Sequence, residues 1–308
     1  MRIIFMGTPD FSVLPLKSLA SRGKDEIVAV ITNPDKPVGR KQVLTPCAVK
    51  AAAEKLGLKV YSYNKIRVEG VEDLKKIAPD IIITCAFGQI LSKEILDIPK
   101  YGVINVHASL LPKYRGASPI HYAIMCGEEK TGITIMKTDE GIDTGDILLK
   151  EEVKIGENET CGELFERLSV LGADLLDGAL DLIESGKAKF NPQDETKATY
   201  TKMIKKEDAL INWSRSAKDI KNQIRAFCPA PAAYTFYSGE QIKIFEAEVL
   251  DGNGNAGEII KSDGELVVSC GAGLLKIKSL QKAGGRRMNA AEFLRGNKIP
   301  SGGFLGNA

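Results

Sequence analysis

Short, branched apolar runs alternate with helix-length amphipathic stretches through the first two-thirds of the chain. Arg2 to Met6, Ile27 to Thr32, Lys59 to Tyr63, Asp80 to Cys85 and Gly102 to His107 read as strands. The Ile81-Ile82-Ile83 run suits a strand buried on both faces. Helices are predicted after Gly7-Thr8-Pro9-Asp10 and over about Pro46–Leu56, Val71–Ala78 and Gln89–Leu96. Such β-α-β alternation predicts an α/β fold with a doubly wound, mostly parallel sheet. A helix over about Ser118–Met125, strands at Gly132–Lys137 and Asp146–Lys154 and one long helix within Thr160–Glu184 follow. Its Leu164, Leu168, Leu171, Leu175 and Leu182 recur at spacings of three, four and seven, a predicted core-facing stripe.

The pattern breaks at residues 186–206, which are polar, Lys-rich and without apolar period, so this stretch reads as a linker. Beyond it come a short amphipathic helix, Ala217–Phe227, and strand-like runs at 234–237, 241–249, 258–260, 265–269 and 274–280. Gly- or Asp-rich turns separate them, which fits a small C-terminal β-barrel of OB-like type, with Met288–Arg295 as a terminal helix. The expected division is an α/β domain over 1–189, a basic linker over 190–206 and the barrel over 207–308.

The net charge of +2 conceals an uneven distribution. Lys36, Arg40, Lys41 and Lys50 face only Asp35 in residues 34–50, and six lysines face Asp194 and Glu195 in residues 187–206. Beyond Glu265, seven basic residues stand against Glu292. Three basic segments in a nearly neutral chain suit a polyanionic partner. No apolar run approaches the roughly 20 residues of a membrane span, and Ile3–Met6 is too short for a signal-peptide core. The expectation is a soluble, cytoplasmic protein. The six cysteines are scattered, with no Cys-x-x-Cys pair or Cys/His grouping, so neither a disulfide framework nor a metal is expected.

Candidate chemistry gathers where the run Gly102–Val106 opens into a loop marked by Pro112 and Gly116. Alternation along a strand puts Asn105 and His107 on one face. Asp143 lies in a turn-rich segment, Asp139–Asp146, and the three side chains are expected to converge on one reacting carbonyl. Other chemistries lack their signatures. The first turn has one Gly and a Pro where Gly-x-Gly-x-x-Gly is needed, and neither a Walker motif nor a Gly-x-Ser-x-Gly elbow is present. What remains suits acyl transfer to a nucleophile brought by the substrate. Asn105 and His107 would stabilise the oxyanion, while Asp143 would orient the imidazole and hold a proton-accepting water. A His–Asn pair at a strand end is as a class more often structural than catalytic, and the residues by themselves leave both roles open. His121, inside a predicted helix, reads as packing or surface.

The stretch Asn105-Val106-His107-Ala108-Ser109-Leu110-Leu111-Pro112-Lys113-Tyr114-Arg115-Gly116, followed by Asp143-Thr144-Gly145, resembles the signature of the folate-dependent formyltransferases. Ile4-Phe5-Met6-Gly7-Thr8-Pro9-Asp10-Phe11 and Lys282-Ala283-Gly284-Gly285-Arg286-Arg287-Met288 are similar to the branch acting on initiator tRNA, and the likeness runs the whole length. The resemblance implies transfer of a formyl group from 10-formyltetrahydrofolate to the α-amine of methionine on initiator tRNA; a monomer is the expectation, though the residues themselves are silent on oligomeric state. It puts Asn105, His107 and Asp143 at the catalytic positions, and Ser109, Leu110, Leu111 and Pro112 against the folate. Phe87, Gly88, Gln89, Ile90 and Leu91 would form another wall of that pocket. Arg40 and Lys41, in an insertion over 34–46, would reach the tRNA acceptor end, with Lys205, Lys206, Lys282, Arg286 and Arg287 on phosphates. Relatives often carry a Trp where this chain reads Phe227-Cys228-Pro229-Ala230-Pro231-Ala232, which leaves the local packing open. The competing readings are formyl transfer to a small amine such as an amino sugar, and an RNA-binding protein with an inactive α/β domain.

Overall fold

Ile3–Phe5, Val30–Ile31 and Ile81–Ile83 are wholly buried, as strands covered on both faces must be. The structure is a computed structural model describing residues 1–39 and 41–306. It divides into two compact units, of which the first comprises Met1–Pro119, Thr131–Val153 and Phe165–Thr201. Its strands are β1 (Arg2–Gly7), β2 (Glu26–Thr32), β3 (Lys36–Val38), β4 (Val43–Thr45), β5 (Val60–Ser62), β6 (Ile81–Cys85), β7 (Val103–His107), β8 (Arg115–Gly116), β9 (Lys130–Lys137), β10 (Ile147–Lys154) and β11 (Tyr200–Thr201). The helices are α1 (Val13–Ser21), α2 (Ala48–Lys55), α3 (Ile66–Glu69), α4 (Val71–Ile77) and α5 (Lys93–Leu96), while α6 (Pro119–Met125) falls almost wholly, and α7 (Cys161–Glu184) by its first turn, to the second unit. Seven strands form one sheet in the order β10-β9-β7-β6-β1-β2-β5. Strands β5, β2, β1, β6 and β7 are parallel and β9 runs antiparallel to β7, so the expected doubly wound, mostly parallel sheet is present. The loops after Gly7, Cys85 and His107 therefore leave from one edge, where open α/β sheets bind ligands.

Several local expectations change. The helix expected over Gln89–Leu96 covers only Lys93–Leu96, because Ala86 and Gly88 adopt left-handed backbone and hold the start of the segment as a loop. The basic stretch after β2, expected as a loop, is an antiparallel hairpin in which Lys36 pairs with Thr45 and Val38 with Val43. The stripe expected on α7 lies to one side of the buried face. Leu164, Leu168, Leu176, Leu180 and Ile183 are buried, whereas Leu171, Leu175 and Leu182 are only half-buried. At 3.6 residues per turn Leu176, Leu180 and Ile183 stand roughly 100–160° round the helix from Leu164, whereas the expected set keeps within about 60°, so that set marks the border of the buried face rather than its centre. Residues 190–201, expected as linker, belong to the first unit, with Tyr200–Thr201 paired in parallel with Arg115–Gly116.

The second unit comprises Ile120–Lys130, Lys154–Leu164 and the chain from Lys202 onward. Helix α8 (Ala217–Ala226) is followed by β12 (Ala233–Tyr237), β13 (Glu240–Leu250), β14 (Ile259–Lys261), β15 (Leu266–Ser269), β16 (Leu274–Lys282), β17 (Met288–Asn289) and α9 (Ala290–Gly296). These strands make an antiparallel sheet ordered β12-β13-β16-β15-β14, with β17 on β16, the OB-like part of the expected fold. Bridges from Leu210 to Tyr234 and from Phe304 to Glu258 cover ground beside the two edges. Ser216 caps α8 by accepting the Asp219 N–H at 3.1 Å, and Ile220 and Ile224 bury the helix against the sheet core. The chain's single Trp, Trp213, lies in that core and donates Nε1–H to Thr235 Oγ1 at 3.0 Å. Phe227 fills the same core with no exposure, so the small residues after it leave the packing intact. No helix among the described residues is long and apolar enough to cross a membrane.

Candidate active site

Strand register places Thr84 of β6 beside Asn105 of β7. Thr84 Oγ1 donates to Asn105 Oδ1 at 2.9 Å, which turns the amide so that its NH₂ faces away from the sheet. That nitrogen lies 3.4 Å from Asp143 Oδ1. Two residues on, His107 presents Nδ1 to Asp143 Oδ2 at 3.6 Å, while Nε2 sits 3.0 Å from the Tyr114 carbonyl. A carbonyl can only accept, so Nε2 carries a proton and a second proton on Nδ1 would rest against the carboxylate. Asp143 itself has left-handed backbone, φ 53°, a conformation that short polar side chains tolerate. Its Oδ2 also accepts the Gly116 N–H at 2.7 Å. The three expected residues thus meet at the edge where β6 and β7 end. His107 is nearly buried, while Asn105 and Asp143 keep partial access to solvent.

The loop after His107 is stiffened by its own polar groups. Ser109 is buried, with Oγ donating to the Lys113 carbonyl at 2.7 Å and its carbonyl accepting from Thr134 Oγ1 at 2.6 Å. Thr134 in turn accepts the Leu111 N–H at 3.1 Å. Leu111 packs with Met136 and Ile147, whereas Leu110 and Pro112 stay half-buried. In the loop after β6, Phe87 and Leu91 are core residues. Gln89 is a clasp: its amide nitrogen donates to Asn33 Oδ1 at 2.7 Å and to the Tyr63 carbonyl at 2.8 Å, and its oxygen accepts the Ile66 N–H at 2.8 Å. Ile90 is 66% exposed, and a Cβ on Gly88 would meet nothing within 4 Å. Of the nine positions expected against a folate, Leu110, Pro112, Gly88 and Ile90 therefore leave surface for a ligand, and the others shape the loops.

Three side chains that sequence reasoning passed over belong to this neighbourhood: Thr84, Arg115 and Gln193. Arg115 is wholly buried and pairs in a two-pronged fork with Glu195, Nη1 to Oε2 at 2.8 Å and Nη2 to Oε1 at 2.6 Å. Tyr200 OH completes the clamp at 3.1 Å. The hydrogen bond from Arg115 holds the Glu195 carboxyl below its ordinary range, and the same contact pushes the guanidinium up. Arg115 was visible as a motif residue, but nothing in the polar 190–201 stretch marks its partners.

Of the residues expected on tRNA, Arg40 lies outside the described residues. Lys41 is exposed beside the hairpin, where Val38, Val43 and Leu44 are exposed as well. Lys205, Lys206 and Arg286 are exposed in the second unit. Lys282 pairs with Glu240 at 2.5 Å. Arg287 folds back, with Nε donating to Ser279 Oγ at 2.8 Å and its guanidinium 4.6 Å from the centre of the Phe245 ring. His121 is half-buried beside Phe227, and burial lowers its proton affinity, in keeping with a packing role. No group of three or more metal-ligating side chains occurs among the described residues.

Residues 1–180 match the formyl transferase family model, and residues 203–298 match the formyl transferase C-terminal domain. The chain is 46% identical to methionyl-tRNA formyltransferase of Geobacter sulfurreducens, over all of this chain and 98% of that relative. Identity is 49% to methionyl-tRNA formyltransferase of Bacillus cytotoxicus, over 99% of each chain. Among solved structures, it resembles an N-formyltransferase from Helicobacter canadensis in complex with folinic acid and dTDP-3-aminofucose. The TM-score is 0.68 at 20% identity, covering 90% of this chain and 99% of that one. HypX from Aquifex aeolicus in complex with tetrahydrofolic acid gives a TM-score of 0.63 at 18% identity, covering 96% of this chain and 47% of that one. Both likenesses are of fold.

Proposed function

The chain belongs to the formyl transferase family, and from that premise we propose that it formylates the α-amine of methionyl initiator tRNA with 10-formyltetrahydrofolate as donor. The observation that carries this reading is the meeting of Asn105, His107 and Asp143 at the sheet edge. The folate supplies a formyl carbonyl. An Asn105 N–H stabilises negative charge developing on its oxygen, a donor of this kind being worth on the order of 10²–10³ in rate, and His107 joins it when an Nδ1–H is shared between that oxygen and Asp143 Oδ2, which lies 3.6 Å away. The amine bonds to the formyl carbon, the bond from that carbon to the folate N10 breaks, and the proton the amine gives up passes to Asp143, directly or through water, and on to the departing N10. An α-amine titrates at about 7.7–8.0, so little base strength is needed near neutral pH. The donor set fits this work, since acyl transfer asks for hydrogen-bond donors and one acceptor.

Leu110, Pro112 and Ile90 supply apolar surface for the flat pterin, with Gly88 leaving room beside it. Ser109, Leu111, Phe87, Gln89 and Leu91 act there by holding the two loops. The hairpin with Lys41 reaches the acceptor end of the tRNA, and Lys205, Lys206 and Arg286 hold phosphates. Lys282 and Arg287 have partners within their own unit, so their phosphate contacts come at the cost of those partners. Residues 1–189 carry the chemistry, and residues 207–308 with the preceding basic stretch carry tRNA, in the cytoplasm where initiator tRNA is charged.

The test is incubation of the full chain with charged initiator tRNA and 10-formyltetrahydrofolate. N-formylmethionine released from the tRNA is the expected product. Equal formylation of free methionine or of a nucleotide-linked amino sugar would remove the tRNA assignment.

A further inference from the structure

Asp143 is held by more than its own turn. Gln193 Nε2 donates to the Asp143 carbonyl at 2.8 Å and to the Gly145 carbonyl at 2.7 Å. Both amide protons of Gln193 are thereby committed to the turn that carries the carboxylate. Its Oε1 accepts from Arg115 Nε at 3.2 Å and Nη2 at 2.9 Å. A guanidinium only donates, so it admits the amide oxygen on its side and aims the NH₂ at the two carbonyls. Arg115 is fixed in turn by Glu195 and Tyr200. The next residue closes the ring, since Gly116 N–H donates to Asp143 Oδ2. Gly116 has φ 100°, and a Cβ there would lie 2.6 Å from the Thr201 carbonyl oxygen.

We propose that Gln193 is a positioning residue whose carboxamide, oriented by Arg115, clamps the Asp143 turn and sets its carboxylate against His107. This rests on the catalytic reading of Asp143 given above. The contacts of that carboxylate with Asn105 at 3.4 Å and His107 at 3.6 Å are already long. Displacement of a catalytic group by about 1 Å costs on the order of 10²-fold in rate. Only an amide serves both sides of position 193. A Glu there keeps an acceptor for Arg115 but turns an oxygen against two carbonyls, and a Met keeps the length and loses both functions.

The experiment compares Q193M and Q193E with D143N in the full chain, by steady-state kinetics and by the ring signals of the two histidines in NMR spectra. Q193M is expected to lower kcat tenfold to a hundredfold, to order of magnitude, with KM for charged tRNA little changed. The His107 ring signals should move toward their D143N positions while those of His121 stay in place. In the D143N background, Q193M should add no further loss, because Gln193 acts through Asp143. If Q193M does not fold, Q193E, which retains the Arg115 contact, takes its place in each comparison. His107 signals that stay at their wild-type positions, or a Q193M loss undiminished on D143N, would overturn the proposal. Absence of methionyl-tRNA formylation by the wild type would instead sink the functional reading, and the histidine signals would still decide the role of Gln193.

Discussion

Thr84→Val tests whether the orientation of one amide matters to the chemistry. Valine keeps the shape of the threonine, so the packing between β6 and β7 stays and only the hydroxyl is lost. In the wild type that hydroxyl engages Asn105 Oδ1 at 2.9 Å and keeps the NH₂ on the side of Asp143, with one of its two protons left for the proposed reacting oxygen. The second restraint, Asn105 Nδ2 to Asp143 Oδ1, is long at 3.4 Å and remains in the variant. One hydrogen bond is worth about 1 kcal/mol net, and about 1.4 kcal/mol is tenfold in rate. Losing the bias is therefore expected to cost about fivefold in kcat/KM. Asn105→Ala, which deletes the donor itself, should cost on the order of 10²–10³. Initial rates of N-formylmethionyl-tRNA formation measure both, and the double variant should be no worse than Asn105→Ala alone. A further fivefold loss on the Asn105→Ala background would refute the reasoning, as would a cooperatively folded Thr84→Val protein that is as slow as Asn105→Ala.

Asp143→Asn should lower kcat by orders of magnitude while tRNA affinity stays near wild type, which filter binding and single-turnover rates report. Unchanged turnover would remove Asp143 from the chemistry. The Arg115–Glu195 pair predicts a pH signature. Glu195 is held below its ordinary value, so the contribution is fully present above about pH 4.3 and is lost as pH falls through the lower folded value. The Tm gap between wild type and Glu195→Gln should close on acidification, and a gap that widens would contradict the pair. Gly132→Ala puts a Cβ 2.0 Å from the Glu151 carbonyl oxygen and 2.7 Å from Leu110 Cδ2. Thermal melts should show a loss of about 3 kcal/mol, and an unshifted Tm would mean that β9 and β10 separate freely.

The parts of this site that the sequence discloses are those governed by periodicity. Branched runs such as Ile81–Ile83 mark strands buried on both faces, and a period of two puts Asn105 and His107 on one side of β7. Asp143 was reachable only through its turn-rich surroundings and the family signature, because no local rule links it to a strand 38 residues away. The hairpin at Lys36–Thr45 escaped for a different reason. Pro37 interrupts it, and the apolar Val38, Val43 and Leu44 face solvent, so no alternation between a buried and a wet face exists to be read. The stretch from 190 to 201 is the clearest case. It lacks apolar period because its order comes from long-range polar contacts, the buried Arg115 guanidinium reached across about 80 residues and backbone pairing at Asn191, Thr199 and Tyr200–Thr201. A segment held by backbone pairing and polar side chains has the composition of a linker. Here Arg115, one of the groups that order it, reaches on through Gln193 to the turn bearing Asp143. Polar composition therefore marks a segment without its own hydrophobic core, and the long-range donors that face it decide whether it is ordered.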